Sequence, residues 1–218
     1  MAIGFLNTFM QYIHTKLLSL DIIEFRKSCE LLNNHLIQNY KRYLSRNPAH
    51  CTPDGETPDS KNSSTYLDPM PQTSKIFNCH NVFQFSYPQF YELYKEINTM
   101  FQEINPTTEP YYIQCWINYT KKDQYLDWHS HWPEEYKAWS GYYCAYAGDS
   151  KTSFRIPNEK EEVDVISKDN LLVLAPSAGD THRTHPWNDP INPRITLAFD
   201  IFPRHSVPKD WIDLVVPL

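Results

Sequence analysis

The chain has 218 residues, enough for one large domain with an appended helical segment and too few for two generous cores. Twenty Lys and Arg against twenty-six Asp and Glu give a formal net charge of −6, which argues against a protein that works by neutralising a phosphate backbone, so no nucleic-acid partner is expected. A hydrophobic fraction of 41%, with fifteen Tyr, eleven Phe and six Trp, excludes global disorder and can fill a sizeable core.

Residues 1–20 lack a basic front, a continuous apolar middle and a small-residue cleavage site, so no secretory signal is read there. No run of eighteen apolar residues exists, and no membrane span is expected. Across 21–46, Phe25, Cys29, Leu32, Leu36, Tyr40 and Tyr43 recur every three or four positions and predict one helix. Residues 45–75 are rich in Pro, Ser, Thr and Asp, the composition of an exposed loop or lid. A second helix is signalled over 86–105: Ser86 as cap with Gln89 three residues on, Pro88 in the first turn, and Phe90, Leu93, Tyr94, Ile97, Met100, Phe101 and Ile104 as its stripe, with Pro106 ending it.

After Pro110 the period falls to two. In 111–119, Ile113, Cys115, Ile117 and Tyr119 share one side and Tyr112, Gln114, Trp116 and Asn118 the other. Further strands are predicted at 125–131, 141–147, 153–156, 163–166, 171–175, 191–202 and 211–216. Helices followed by seven or eight short strands make an α+β pattern: a single domain over 1–218 in which 1–44 and 86–105 buttress a β-sandwich or small barrel over 110–218. Five cysteines, an odd set without Cys-x-x-Cys, suggest neither a disulfide framework nor a zinc ribbon, and a reducing, cytoplasmic setting is expected.

Two pairs of histidines carry a ligand hypothesis: His129 with His131 in DWHSHW, and His182 with His185 in GDTHRTHPW. On a strand, Asp127, His129 and His131 would project from one face, presenting two imidazoles and a carboxylate to one point. A third ligand from a distant strand would complete a facial set with positions open for substrate and O2. The alternative at this point is histidines paired by accident. Twelve residues after His182 comes Arg194, with Thr196 two further on; period two sets both on one face and Ile195, Leu197, Phe199 and Ile201 on the other. An inward guanidinium beside a hydroxyl suits bidentate recognition of a carboxylate, although a structural salt bridge would use the same residues.

The order and spacing of these elements resemble the iron(II)- and 2-oxoglutarate-dependent oxygenases: a histidine motif, fifty intervening residues, His182, eleven more, then Arg194-Ile195-Thr196. More narrowly, WINYTKKDQYLDWHSHW followed by WSGYYCAYAG looks like a phage and marine microbial branch of such oxygenases, whose signature is a His-x-His followed by Ser-Gly-x-Tyr-Tyr. The resemblance covers roughly residues 110–202. It implies a double-stranded β-helix, a jelly-roll or cupin-like barrel, and the use of Fe(II), 2-oxoglutarate and O2, with oxidation of the cosubstrate to succinate and CO2 coupled to attack on an unactivated C–H bond. One departure stands out, because most of the family carries Asp or Glu where this chain has His131. The metal would therefore take His129, His131 and His182, or Asp127, Glu134 or Glu135 would supply a carboxylate; His185, nine residues before Arg194, is the weaker distal candidate. Arg194 with Thr196 would hold the far carboxylate of 2-oxoglutarate, and Tyr119 or Tyr112 would add a hydroxyl. Trp116, Trp128, Trp132, Trp139 and Trp187 would line the substrate entrance.

Hydroxylation of a small molecule, a free amino acid or a peptide side chain is the default outcome of that reading. Two others use the same residues: a three-histidine cupin dioxygenase without 2-oxoglutarate, which has no need of Arg194 beside Thr196, and a metal-free barrel that binds a sugar or peptide. The oligomeric state is not readable, and a homodimer is compatible with the sequence.

Overall fold

The structure is a computed structural model that describes residues 12–46, 70–157, 160–177 and 181–218. In chain order these form β1 (His14–Leu17), α1 (Ile22–Gln38), α2 (Tyr40–Arg46), α3 (Pro88–Ile104), β2 (Tyr111–Thr120), β3 (Trp139–Tyr146), β4 (Lys151–Arg155), β5 (Val163–Ile166), β6 (Leu171–Pro176), β7 (Thr181–Thr184), β8 (Arg194–Pro203) and β9 (Val216–Pro217). The mixed helical and antiparallel-sheet class expected from the sequence is observed.

Asp21 starts α1 by accepting hydrogen bonds from the Ile23 and Glu24 amides, satisfying two of the donors a helix start leaves open. The single helix predicted over 21–46 is two, because Asn39 leaves helical geometry and its side chain donates to the His35 carbonyl. Helix α3 begins without the expected Ser86 cap: Tyr87 is the capping residue, no side chain bonds the first amides, and Gln89 instead accepts from Ser28 of α1 at 2.9 Å. Pro88 at the first helical position lacks an N–H and presets φ, so the start needs less help from a side chain.

Two antiparallel sheets follow, one of six strands in the order β1-β6-β3-β8-β2-β9 and one of three in the order β5-β4-β7. β8 lies centrally, with all ten residues buried between β3 and β2. Its odd-numbered residues Ile195, Leu197, Phe199 and Ile201 join Ile113, Cys115 and Ile117 of β2 in one cluster with Phe25, Leu32, Phe90, Leu93, Ile97 and Phe101 of α1 and α3. The opposite face of the large sheet, with Trp116, Tyr142, Val173 and Ala198, packs toward Phe154 of the small one. Helices, large sheet and small sheet thus form successive layers, and the site lies between the sheets.

Three sequence expectations require correction. Residues 125–131 are not a strand but a loop joined to the sheet by one isolated bridge, His129 to His182. The strand predicted over 211–216 is a 3-10 turn, Lys209–Trp211, followed by the two-residue β9. The exposed connection over 45–75 reaches into the core at its end: Thr73 and Ser74 are buried, Thr73 accepts from the Tyr119 amide at 3.1 Å, and Ser74 donates to Asn118 at 2.6 Å. Residues 47–69, most of the proposed lid, lie outside the described residues. No helix among the described residues is long and apolar enough to cross a membrane.

Candidate functional site

The loop between β2 and β3 is zipped onto β7 and the turn after it. Asp123 and Gln124 exchange backbone hydrogen bonds with Trp187, the Thr184 amide donates to the Leu126 carbonyl at 2.9 Å, and Thr184 accepts from the Leu126 amide at 2.8 Å. His129 and His182 then exchange both backbone hydrogen bonds, at 3.1 and 3.0 Å, which sets two imidazoles from distant parts of the chain side by side. Ring centroids are 4.4 Å apart for His129 and His182, 4.9 Å for His131 and His182, and 5.4 Å for His129 and His131. One nitrogen from each of the three lies within 4.8 Å of the others, close enough to share one ion.

The rings are oriented. Nδ1 of His129 donates to the Asp127 carbonyl at 2.7 Å, and Nδ1 of His131 donates to Asp200 at 2.7 Å, so in both the Nε2 lone pair is the one left for a metal. Burial, and then the neighbouring His182 and His131, push the His129 imidazole well below its usual range, so it is neutral near pH 7 as a ligand must be. Among the described residues no carboxylate joins the group.

The triad opens on a cavity of about 390 Å³ between the sheets. Arg194 and Thr196, each 3% exposed, line the same cavity from β8. The Arg194 Nε donates to Ser150 Oγ at 3.0 Å, and no carboxylate among the described residues pairs with its guanidinium. The Tyr142 phenol is buried in the wall near Thr152 and Arg194; burial pushes it up, while Thr152 and Arg194 pull the other way. The cavity therefore offers a cluster of three imidazoles and a buried guanidinium with hydroxyls around it.

Of the residues singled out from sequence, His129, His131, His182, Arg194 and Thr196 are brought together here. Asp127 also lines the cavity, but its carboxylate accepts from the Trp128 amide and stands outside the imidazole cluster. Glu134 and Glu135 are exposed on a 3-10 turn, and His185 bonds Ser153 at 2.8 Å on the outer side of the small sheet. Tyr119 and Tyr112 do not reach the cavity. The alternation of β2 turns Tyr119 toward the helices, and Tyr112, although on the cavity side, packs at the far end with Phe202 and Trp211. Trp116 and Trp132 line the cavity, whereas Trp139 meets Phe101 edge-to-face under the helices, Trp187 bonds the Asn192 carbonyl and Trp128 lies beneath Arg155. Tyr142, Trp211 and Asp200 were missed; Asp200 shares the even-numbered face of β8 with Arg194 and Thr196, so extending the period-two pattern two steps finds it.

No protein-family model matches the chain, and no curated protein matches it. Solved structures do. They include a 2OG-Fe(II) oxygenase family oxidoreductase from Burkholderia pseudomallei (13% identity, 54% of this chain and 60% of that one, TM-score 0.44). A prolyl-4-hydroxylase from Pseudomonas putida is similar at 13% identity over 55% of this chain and 66% of that one, TM-score 0.43. HygX from Streptomyces hygroscopicus, solved with nickel and 2-oxoglutarate bound, is similar at 11% identity over 57% of this chain and 71% of that one, TM-score 0.46. The first two are matched over less than two thirds of their own length.

Proposed function

We propose that the protein is a non-haem Fe(II)- and 2-oxoglutarate-dependent dioxygenase on a double-stranded β-helix, oxidising a small molecule, a free amino acid or a peptide side chain with release of succinate and CO2. The observation that carries this reading is the sharing of one cavity by three convergent imidazoles and a buried guanidinium that has no carboxylate partner among the described residues. A buried charge of this kind is costly unless an anion joins it, and its planar fork matches a carboxylate.

The donor set fits a divalent first-row metal: three imidazole nitrogens within reach of one ion, two of them with their tautomer fixed by hydrogen bonds. His129, His131 and His182 would hold it, leaving positions for the cosubstrate and O2. When bound, the ion supplies Lewis acidity and redox chemistry toward O2. Arg194 and Thr196 hold the far carboxylate of 2-oxoglutarate, and Tyr142 stands beside them as a further hydroxyl donor. The protein's own work is to orient the cosubstrate and to exclude water with the apolar walls of Trp116, Phe154, Val173 and Ala198. Because all three ligands are neutral, the centre stays more positive than one with a carboxylate, which favours a dianionic cosubstrate.

A cluster of three histidines, joined by no carboxylate among the described residues, also suits a three-histidine cupin dioxygenase that uses O2 without a keto acid. Anaerobic titration of the Fe(II)-loaded protein with 2-oxoglutarate separates the two. The proposal expects a saturable visible charge-transfer band from chelation of the keto acid. Iron binding without a band would transfer the case to the cupin reading, and no iron binding would remove the enzyme assignment.

A further inference from the structure

Asp200 lies 2% exposed on β8, and its carboxylate has three donors: His131 Nδ1 at 2.7 Å, Ser140 Oγ at 2.8 Å on the same oxygen, and Trp132 Nε1 at 2.8 Å on the other. None of these carries a permanent charge. A carboxylate removed from water is normally kept by a cation, and here Arg and Lys are absent from its partners while the imidazole it grips is one of the convergent three. Three neutral ligands around a dication, with the Arg194 guanidinium in the same cavity, leave a surplus of three positive charges. A bound dianion reduces that surplus to one, and a carboxylate hydrogen-bonded to one of the ligands offsets the last.

We infer that Asp200 is the positioning residue of the metal centre, delivering through His131 the negative charge that the ligand set itself lacks. This rests on the metal-centre reading above and goes beyond it. By accepting the Nδ1 proton in its hydrogen bond, the carboxylate fixes the His131 tautomer with Nε2 toward the ion and makes that nitrogen a stronger donor. The residue that would ordinarily be an anionic ligand beside the first histidine is thus replaced by a loop histidine that leans on an anion from β8. Trp132 holds the carboxylate in place from its other oxygen, and Ser177, 3.0 Å from Ser140, accepts from the Trp132 amide at 3.1 Å, tying the network to the chain just after His131.

The test is metal affinity without cosubstrate, measured for the full chain by anaerobic competition of Fe(II), and of Co(II) as a probe, against a chromophoric chelator. Asp200→Asn keeps size and one acceptor but removes the charge; affinity should fall by about 10- to 100-fold. Where the keto-acid band forms, it should move to shorter wavelength, since an electron-poorer iron gives up charge less readily; a carboxylate that only braced the loop would not shift it. Ser140→Ala removes a donor that competes with His131 for the same oxygen, and should tighten metal binding, the opposite sign to a loss of structural support. Affinity of Asp200→Asn within twofold of the unaltered protein overturns the inference. Should that variant not fold, Ser140→Ala decides: tighter binding supports the inference, and unchanged or weaker binding overturns it. An unaltered protein that binds no metal brings down the metal centre as well, whereas one that binds metal without any keto-acid band loses only its cosubstrate.

Discussion

Arg194 carries the sharpest single-residue expectation, because its guanidinium is buried with one neutral hydroxyl as its side-chain partner. Truncating one member of a buried, hydrogen-bonded charge pair costs about 2–5 kcal/mol, so Arg194→Ala should weaken 2-oxoglutarate binding by roughly 30- to 5,000-fold while Fe(II) affinity holds. Unchanged cosubstrate affinity would sink its assigned role. The histidines divide in the same way. His182→Ala removes one of three convergent nitrogens and should abolish metal binding, whereas His185→Ala, which loses only a contact to Ser153, should leave it intact. A His182 variant at full occupancy would mean that the ion does not sit on this cluster. His80 offers a test independent of the site. It is 3% exposed, its Nδ1 donates to the Ile76 carbonyl at 3.0 Å, and burial lowers its pKa to about 4. The unfolded chain, with an ordinary value near 6.5, takes up the proton first, so this contribution is complete above about pH 6.5 and is lost as pH falls toward 4. The loss amounts to roughly 3 kcal/mol over that window. Denaturant titrations at pH 7 and 4.5 should show a flatter pH dependence for His80→Asn than for the unaltered chain, and equal slopes would place the acid sensitivity elsewhere.

At the scale of elements, β3 shows why a motif can be read without being understood. Gly141 sits between β6 and β8, and a Cβ there would lie 2.3 Å from the Val173 carbonyl and 2.5 Å from the ring of Phe199, itself fully buried. Neither a ladder carbonyl nor a packed ring yields cheaply, so Gly141→Ala should cost about 1–3 kcal/mol, a fall in Tm of roughly 2–12 °C. An unaltered melt would mean that β3 and β6 part more easily than their register suggests. The strands that were legible in sequence are those with one aliphatic and one mixed face: β2 and β8 announce both their period and which side is inward, and this placed Arg194 and Thr196 correctly relative to Leu197 and Phe199. The same alternation excludes Tyr119 from the cavity and admits Asp200. The histidine loop was not legible as a loop, because its shape comes from backbone pairing with β7, more than fifty residues away in sequence, and hydropathy carries no trace of that. Thr73 and Ser74 differ from their expected exposure for a related reason: their side chains are buried because they complete hydrogen bonds of β2, whereas composition alone marks them as exposed.

The whole molecule places the candidate ligands on separate structural units: His182 on the three-stranded sheet, His129 and His131 on the loop between β2 and β3, and the Asp200 that grips His131 on the six-stranded sheet. An ion held by all three histidines would therefore add a side-chain tie between the two sheets, beside their apolar packing, the isolated His129–His182 bridge and the loop hydrogen bonds. Anything that binds the folded chain and not the unfolded one stabilises it by mass action, about 2.7 kcal/mol at a hundred times Kd. For a chain of this length that corresponds to a rise in Tm of roughly 5–11 °C, reversible with a chelator. Location separates this from adventitious binding at surface carboxylates. Hydrogen exchange should slow at residues 126–131 and 181–184, where the loop meets β7, and little in the helical layer, whose core is already closed by Phe25, Phe90 and Phe101. A metal-induced rise in Tm whose protection maps to the helices or to the outer face of the small sheet would put the ion elsewhere and leave the three histidines without their assigned role.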